Sequence, residues 1–458
     1  MKYRLDHDSI GEVKVPNEAY WGAQTQRAAE NFQISSLKLQ PAFIRAQVIL
    51  KRACAKANVD LKQLDSKIGK AIVAACDEIL NGKLLDQFIV DLYQAGAGTS
   101  QNMNANEVIA NRAIEILGGK RGDNSIHPND HVNRGQSTND TIPTAIHIAA
   151  LEEITNKLIP AIKELHKALK AKAREFDSIV KSGRTHLQDA VPMRLGQEFG
   201  AYARMIELGI ERIEQSAEGL RELALGGNAV GTGINTPKGY KELAIKYINE
   251  VTQLDFRPAK DLFEAIQNRD AVVHVSGALR TLATSLTKIA DDFRLLVSGP
   301  KTGFDELKLP VMQPGSSIMP GKVNPVMAEM MNMICISVMA CDYAVSRAGQ
   351  SGQLELNVMM PVMAYYLLHE IEILTTGATT FTEKCVQGIE ANEEICQKYA
   401  ESTPQVVTAL TLFIGYEKAA EVLKEALANN MTIREMVLMR KLLSEEKLDE
   451  ALDLRKLT

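Results

Sequence analysis

The stretch 151-LEEITNKLIPAIKELHKAL-169 decides the fold. Its apolar residues Leu151, Ile154, Leu158, Ile162, Leu165 and Leu169 recur at intervals of three and four. That spacing puts all six on one face of a helix many turns long. A second run, Leu279, Leu282, Leu286, Ile289, Phe293 and Leu296, repeats the pattern. Spacing so close to a coiled-coil seam predicts long helices packed at shallow angles in a bundle. Pro160 lies inside the first run, has no N–H to donate, and is expected to kink it.

Working outward from these runs, alternating strand patterns are scarce. The main candidate is IGEVKVP at 10–16, which predicts a short strand or hairpin. Five polar, Gly-rich segments interrupt the helices: 95-AGAGTSQNMNANE-107, 127-HPNDHVNRGQSTND-140, 183-GRTHLQD-189, 226-GGNAVGTGINTP-237 and 314-PGSSIMPGKVNP-325. The last has almost no large residue except Ile318 and Met319 and reads as a mobile loop between helices. The expected fold class is all-α: a long central helical bundle with a mixed N-terminal domain and a small helical C-terminal domain. The expected boundaries are 1–140, 141–395 and 396–458.

At 458 residues the chain can bury a large core. Only 5% of residues are aromatic, so aliphatic side chains are expected to carry that core. The formal net charge of −5 argues against a nucleic acid or an anionic membrane as partner. Any positive charge at a binding site must then be local. No run of about 18 apolar residues suggests a membrane span. The opening MKYRLDHDSIGEVKVP carries charges where a signal peptide needs an apolar run. Cys54, Cys76, Cys335, Cys341, Cys385 and Cys396 are scattered in apolar context and read as reduced and buried. None combines with histidine at metal-ligand spacing, so neither a metal nor another cofactor is expected. Together these features predict a cytoplasmic protein.

A bundle core should be apolar, so the five polar segments need a reason. Helix caps and turns use the same residue types. They do not, however, require a lysine, two asparagines and a histidine as well. The set suits a small dicarboxylate, which wants hydroxyl, amide and backbone N–H donors and a nearby cation. Thr99, Ser137, Thr138, Asn139 and Thr185 supply neutral donors, and Lys322 and Asn324 add a cation and an amide. Helix N-termini after Gly-rich loops add positive potential.

GSSIMPGKVNP at 315–325 resembles the signature of the fumarase/aspartase superfamily. AGAGTS, HPND, QSTND, GRTHLQD and AVGTG follow in the order of that family, so the resemblance covers essentially the whole chain. It implies a homotetramer whose long helices share one bundle, with active sites built from segments of three subunits. It also implies a lyase that abstracts a proton next to a carboxylate, passes through an aci-carboxylate, and expels a group from the neighbouring carbon to form fumarate.

By position in those motifs, the resemblance assigns Ser317 as the catalytic base, with backbone N–H groups and Lys322 available to stabilise its alkoxide. It assigns Lys322, Asn324, Thr185, Thr138 and Asn139 to gripping the substrate. His186 resembles the histidine that holds a water or the departing group, paired with a carboxylate at Glu329. A lone histidine on a helix would more often be structural. Arg121, His127, Asn129 and Asp130 resemble a second, surface anion site, and equally fit a turn that starts a helix. Arg134 and Arg184 are the only arginines in the five segments, and neither can be assigned as a bidentate carboxylate clamp.

The signature does not choose the leaving group. Ala95 and Ala97 in AGAGT, Thr138 in STND, HVN at 131–133 and GQLELNV at 352–358 are closer to aspartases. WGAQTQRA at 21–28, GGNAVGTG at 226–233, the HPND box and 263-FEAIQNRDAVVHVSGALR-280 are closer to fumarases. The residues expected nearest the substrate favour aspartate and ammonia. A class II fumarate hydratase acting on L-malate is the alternative, and a silent structural protein on the same scaffold, like the lens crystallins, a remote one.

Overall fold

In the computed structural model, which describes residues 2–458, 62% of the chain is helix and 8% strand. The fold is therefore all-α, with small two-stranded sheets only. Both apolar runs are helical and buried along their whole length, no member being more than 5% exposed. Pro160 is accommodated by a specific device. The Thr138–Glu153 helix passes through a π-helical turn, Ile154–Leu158, before Ile159–Glu175 continues it. The wider turn supplies one residue of slack just where the proline cannot donate.

Two compact units emerge, each assembled from discontinuous stretches. The first runs to Pro160 and takes in Glu211–Ala283 and Cys335–Thr375. Its core sits between the helices Pro41–Asp60, Ser66–Leu80 and Thr99–Ile116, where Ile44, Val48, Ile72, Ile79, Val108 and Ile109 meet. Asp65 caps the second of these by accepting from the N–H groups of Lys67 and Ile68. The N-terminal hairpin expected from IGEVKVP is present as Tyr3–Asp8 paired antiparallel with Gly11–Pro16. Val13 and Val15 alternate inward from it onto Ala19 and Ala23.

The Thr99–Ile116 helix is buried almost all round, yet carries Gln101, Asn102, Asn104, Asn106 and Glu107. These are polar residues of 95–107, and each has a protein partner. Gln101 Nε2 donates to Gln47 Oε1 at 3.0 Å, and Asn104 bridges Gln87 and Ile89. Glu107 receives the N–H groups of Gly22, Gln24 and Thr25 at the start of the Ala23–Asn31 helix. Much of this segment's polarity is thus spent on holding helices together.

The second unit comprises Ala161–Ile210, Thr284–Ile334 and Thr376–Thr458. The buried core is mostly Ala, Val, Ile and Leu, as expected, with one local exception in this unit. Phe176, Phe199, Tyr202, Phe293 and Phe381 form one aromatic cluster with ring centroids 5.1–5.8 Å apart, in edge-on and offset stacked pairs. A second hairpin, Val180–Thr185 with Gln188–Arg194, occupies the segment expected only as a polar interruption. Residues 406–451 close around their own small core of Val406, Leu410, Val422, Met436 and Leu448.

The helix Val326–Gly349 is long and apolar enough to cross a membrane by composition, and only 33% of its most apolar stretch is buried in the chain. All six cysteines are buried thiols without disulfides.

Gly69 sets the approach of the Ser66–Leu80 helix to Pro41–Asp60, since a Cβ there would lie 2.1 Å from Val59 Cγ2. Gly69→Ala gains up to about 1 kcal/mol of helix propensity but meets an overpacking penalty of about 1–3 kcal/mol. Chemical denaturation should show a net loss of stability, and a gain would mean that the helices separate freely.

Candidate active-site residues

In the first unit, the N-terminus of the Thr138–Glu153 helix is densely bonded. Ser137 caps it, accepting from Asn139 N–H, and Asp140 completes a capping box by accepting Ser137 N–H at 2.9 Å. The other Asp140 oxygen receives Gly226 N–H at 3.1 Å and Asn228 N–H at 2.9 Å. One buried carboxylate therefore ties the 127–140 segment to the 226–237 segment. Burial pushes the Asp140 carboxyl up to about 7, against the pull of these three N–H groups. Asn139 donates to the Ala229 carbonyl, and Thr138 Oγ1 accepts from Asn102 Nδ2 at 3.2 Å. The structure thus brings Ser137, Thr138 and Asn139 together, half-buried, at a helix N-terminus that favours an anion. Thr99, exposed, begins its own helix and donates to Gly96 O at 3.3 Å.

The residues of the second anion site are placed less simply. Arg121 is already engaged: it pairs with Glu115 at 2.8 Å, donates to Glu18 O and stacks over Tyr20. His127 caps the Pro128–Val132 turn through Nδ1, facing the N–H groups of Asn129 and Asp130. Asn129 borders two cavities. One, of about 380 Å³, is also lined by His127 and by the carboxylates of Asp6, Asp8 and Glu107. The other, of about 520 Å³, is lined by Asp130, Asn133, Arg134 and Gln136. Arg121 lines neither.

In the second unit, Thr185 and His186 crown the Val180–Arg194 hairpin, exposed to solvent. His186 is on a β-turn rather than a helix. Both turn residues, His186 and Leu187, have positive φ, 57° and 59°. A two-residue turn of this hand prefers Asn-Gly. Holding a histidine and a leucine there costs on the order of 1–3 kcal/mol per residue. A bulge at Gly183, where a Cβ would sit 2.8 Å from Val191 O, turns Arg184 inward. Arg184 then grips the fully buried Glu306 at 2.9–3.0 Å and stacks over Phe304. Lys181 reaches the same carboxylate at 3.2 Å and Glu198 at 2.8 Å. Arg184 is thus an anchor just below the hairpin tip rather than a free substrate clamp.

The 314–325 loop separates its two serines. Ser316 Oγ accepts from the N–H groups of Ile318 and Met319, so it is committed to a turn. Ser317 is exposed and has no hydrogen-bond partner among the described residues. Gly315 N–H donates to Lys322 O at 2.8 Å, and Asn324 Nδ2 donates to Gly315 O at 2.7 Å, closing the loop into a ring. A Cβ on Gly315 would meet Lys322 O at 2.5 Å. Asn324 therefore shapes the loop through its amide nitrogen and keeps its oxygen for other work. The Lys322 side chain is exposed, and Glu329, half-buried, lies in the first turn of the Val326–Gly349 helix. No group of three or more His, Cys, Asp or Glu able to hold a metal occurs among the described residues.

Sequence reasoning missed Asp140, Lys51, Asn102 and Glu306. The spacing of Ser137 and Asp140 is a capping-box signal that could have found the first. The others depend on partners far away in the chain.

A family model described as lyase matches residues 11–340, and one described as fumarase C C-terminus matches 406–458. The chain is 50% identical to the aspartate ammonia-lyase of Bacillus subtilis (strain 168), covering 98% of this chain and 94% of that protein. It is 52% identical to the class II fumarate hydratase of Corynebacterium efficiens, covering 99% and 96%. The fold matches the crystal structure of class II fumarase from Schistosoma mansoni with a TM-score of 0.97 at 38% identity, over 99% of both chains. It matches fumarate lyase:delta crystallin from Brucella melitensis bound to cobalt with a TM-score of 0.96 at 47% identity, again over 99% of both. The chain belongs to the lyase family that contains the aspartate ammonia-lyases and the class II fumarate hydratases.

Proposed function

We propose that this lyase converts L-aspartate to fumarate and ammonia, with Ser317 as the base. The observation that carries this reading is the 314–325 loop, which consumes one serine in its own turn and leaves the other open. Ser317, as alkoxide, takes a proton from the carbon beside one substrate carboxylate. The electron pair moves into that carboxylate, giving the aci form. It then returns to form the C=C bond as the C–N bond breaks, and the protonated amine departs as ammonia. Lys322, the second N–H of the Asn324 amide, Thr185, and the Ser137–Asn139 helix start hold the carboxylates. Fixed donors of this kind typically supply several kcal/mol to a developing dianion.

Dehydration of L-malate is the second reading, favoured by the 52% identity to a class II fumarate hydratase. Hydroxide, unlike ammonia, needs a proton as it leaves. His186, with Glu329, is the candidate donor. The preference for aspartate is supported by Ala97, which is buried in the AGAGT turn with no hydroxyl to offer.

We also infer that the chain assembles as a homotetramer with shared active sites, in a reducing compartment such as the cytoplasm. Self-association is supported by Met333, Ile336 and Tyr343, which lie along one face of the Val326–Gly349 helix and are 63–68% exposed in the single chain. The buried thiols fit a reducing compartment. Residues 396–458 form a separate small helical domain in this reading, supported by their own core.

Absorbance of fumarate, followed with L-aspartate and L-malate in parallel, tests the substrate. A rise with aspartate and released ammonia is expected, and a rise with malate alone selects the second reading. Ser317→Ala should lower turnover by at least a thousandfold with fold and assembly intact, whereas loss of assembly would make the loop structural. Ala97→Ser is expected to raise the malate-to-aspartate activity ratio, and an unchanged ratio removes Ala97 from the argument. Ile336→Asp should shift sedimentation from tetramer towards smaller species.

A further inference from the structure

Lys51 stands in the middle of the Pro41–Asp60 helix and is completely buried. A buried ammonium without a carboxylate costs several kcal/mol, and a methionine or leucine would fill the same space without that cost. Lys51 has no ion-pair partner among the described residues. Its Nζ donates instead to two neutral amide oxygens, Asn133 Oδ1 at 2.8 Å and Gln136 Oε1 at 2.9 Å. Both precede the Ser137–Asn139 helix start by only a few residues.

Asn133 is the hub of this arrangement. Its Oδ1 also accepts from Asn102 Nδ2 and Asn106 Nδ2, each at 3.2 Å. Three donors on one amide oxygen are more than its two lone pairs prefer. Asn102 in turn donates to Thr138 Oγ1, and its Oδ1 accepts from Thr141 Oγ1 at 3.3 Å. Asn133 Nδ2 donates to Gln136 O, and Gln136 Nε2 to Val132 O. Asn133, Gln136 and Thr138 are therefore held, directly or through Asn102, by the single ammonium.

We propose that Lys51 is a positioning residue that fixes the Ser137–Asn139 end of the substrate site through Asn133 and Gln136 and adds its positive potential beneath it. This rests on the reading of 137–139 as substrate-binding. Lys51 does not touch substrate. It acts on binding more than on the chemical step, because the proposed base lies in a different segment.

Burial lowers the Lys51 ammonium to about 8, so its charge is present below that pH and lost above it. The titratable groups facing it are Asp140, Cys54 and Cys76. Both thiols are pushed up by burial, Cys54 to about 12, and stay neutral through this range. Burial raises the Asp140 carboxyl as it lowers the Lys51 ammonium. Loss of the Lys51 charge should weaken substrate affinity as pH rises, a limb that Lys51→Met should remove.

The test compares the unaltered protein with Lys51→Met and Lys51→Gln. KM for the substrate that turns over should rise at least tenfold in Lys51→Met, with kcat within about threefold and unchanged helix content. Lys51→Gln, which keeps a donor but no charge, should fall between. KM of the unaltered protein should climb above pH 8, and this limb should vanish in Lys51→Met. Amide hydrogen exchange across 133–141 should quicken at least tenfold in Lys51→Met, with the rest of the Pro41–Asp60 helix unchanged. KM within twofold together with unchanged exchange would overturn the proposal, as would a flat pH profile of KM in the unaltered protein. If the unaltered protein turns over neither aspartate nor malate, the functional reading fails, and hydrogen exchange alone decides the positioning role. If Lys51→Met does not fold, Lys51→Gln and the pH profile decide.

Discussion

The carboxylate of Asp140 holds three backbone N–H groups from two distant segments, and the arrangement of the first unit's polar residues depends on it. A helix N-terminus has donors with no intrahelical partner, and a Gly-rich turn exposes more. Satisfying both with one buried acid fixes where the helix begins and which way its first residues face. Thr138 and Asn139 inherit their positions from that choice. The same logic recurs at Glu107, which gathers three N–H groups at the start of another helix. In both cases an acid sits where the helix dipole favours it, and burial keeps water from competing.

The second unit solves a similar problem with full charges. Glu306 is inaccessible to solvent and is shared by Lys181 and Arg184. Two cations around one buried carboxylate, with Glu198 balancing the second, leave little unpaired charge. The hairpin that carries Thr185 and His186 is thereby anchored along its first strand, from Lys181 to Arg184, while its tip stays open. Rigid roots with exposed tips are the usual way for a scaffold to present reactive groups.

How much of this can be read in the sequence depends on the range of the interaction. The two apolar runs are local patterns, and every member is buried as the periodicity requires. The tight closure of the 314–325 loop is not legible, since its small residues read as a mobile loop; the bonds from Gly315 N–H to Lys322 O and from Asn324 to Gly315 O that close it show only in the fold. The 180–194 hairpin is not legible. Its buried residues include Lys181 and Ser182, and the partner that makes burial of a lysine tolerable lies at Glu306. The aromatic cluster is hidden for the same reason: rings from four stretches of chain meet only after folding. The polarity of 95–107 points towards chemistry, but a good part of it serves packing between helices, with Gln101 and Asn104 as examples. A polar residue on a helix looks the same in sequence whether it faces a ligand or a neighbouring backbone.

The turn at His186 and Leu187 has a consequence for how this protein can vary. Its backbone would suit asparagine and glycine better, so mutation towards stability alone would replace the imidazole. The hairpin stands away from its stability optimum at the residue that carries the imidazole of its tip. Folding alone therefore encourages drift at both turn residues, so an imidazole kept there needs a reason other than stability.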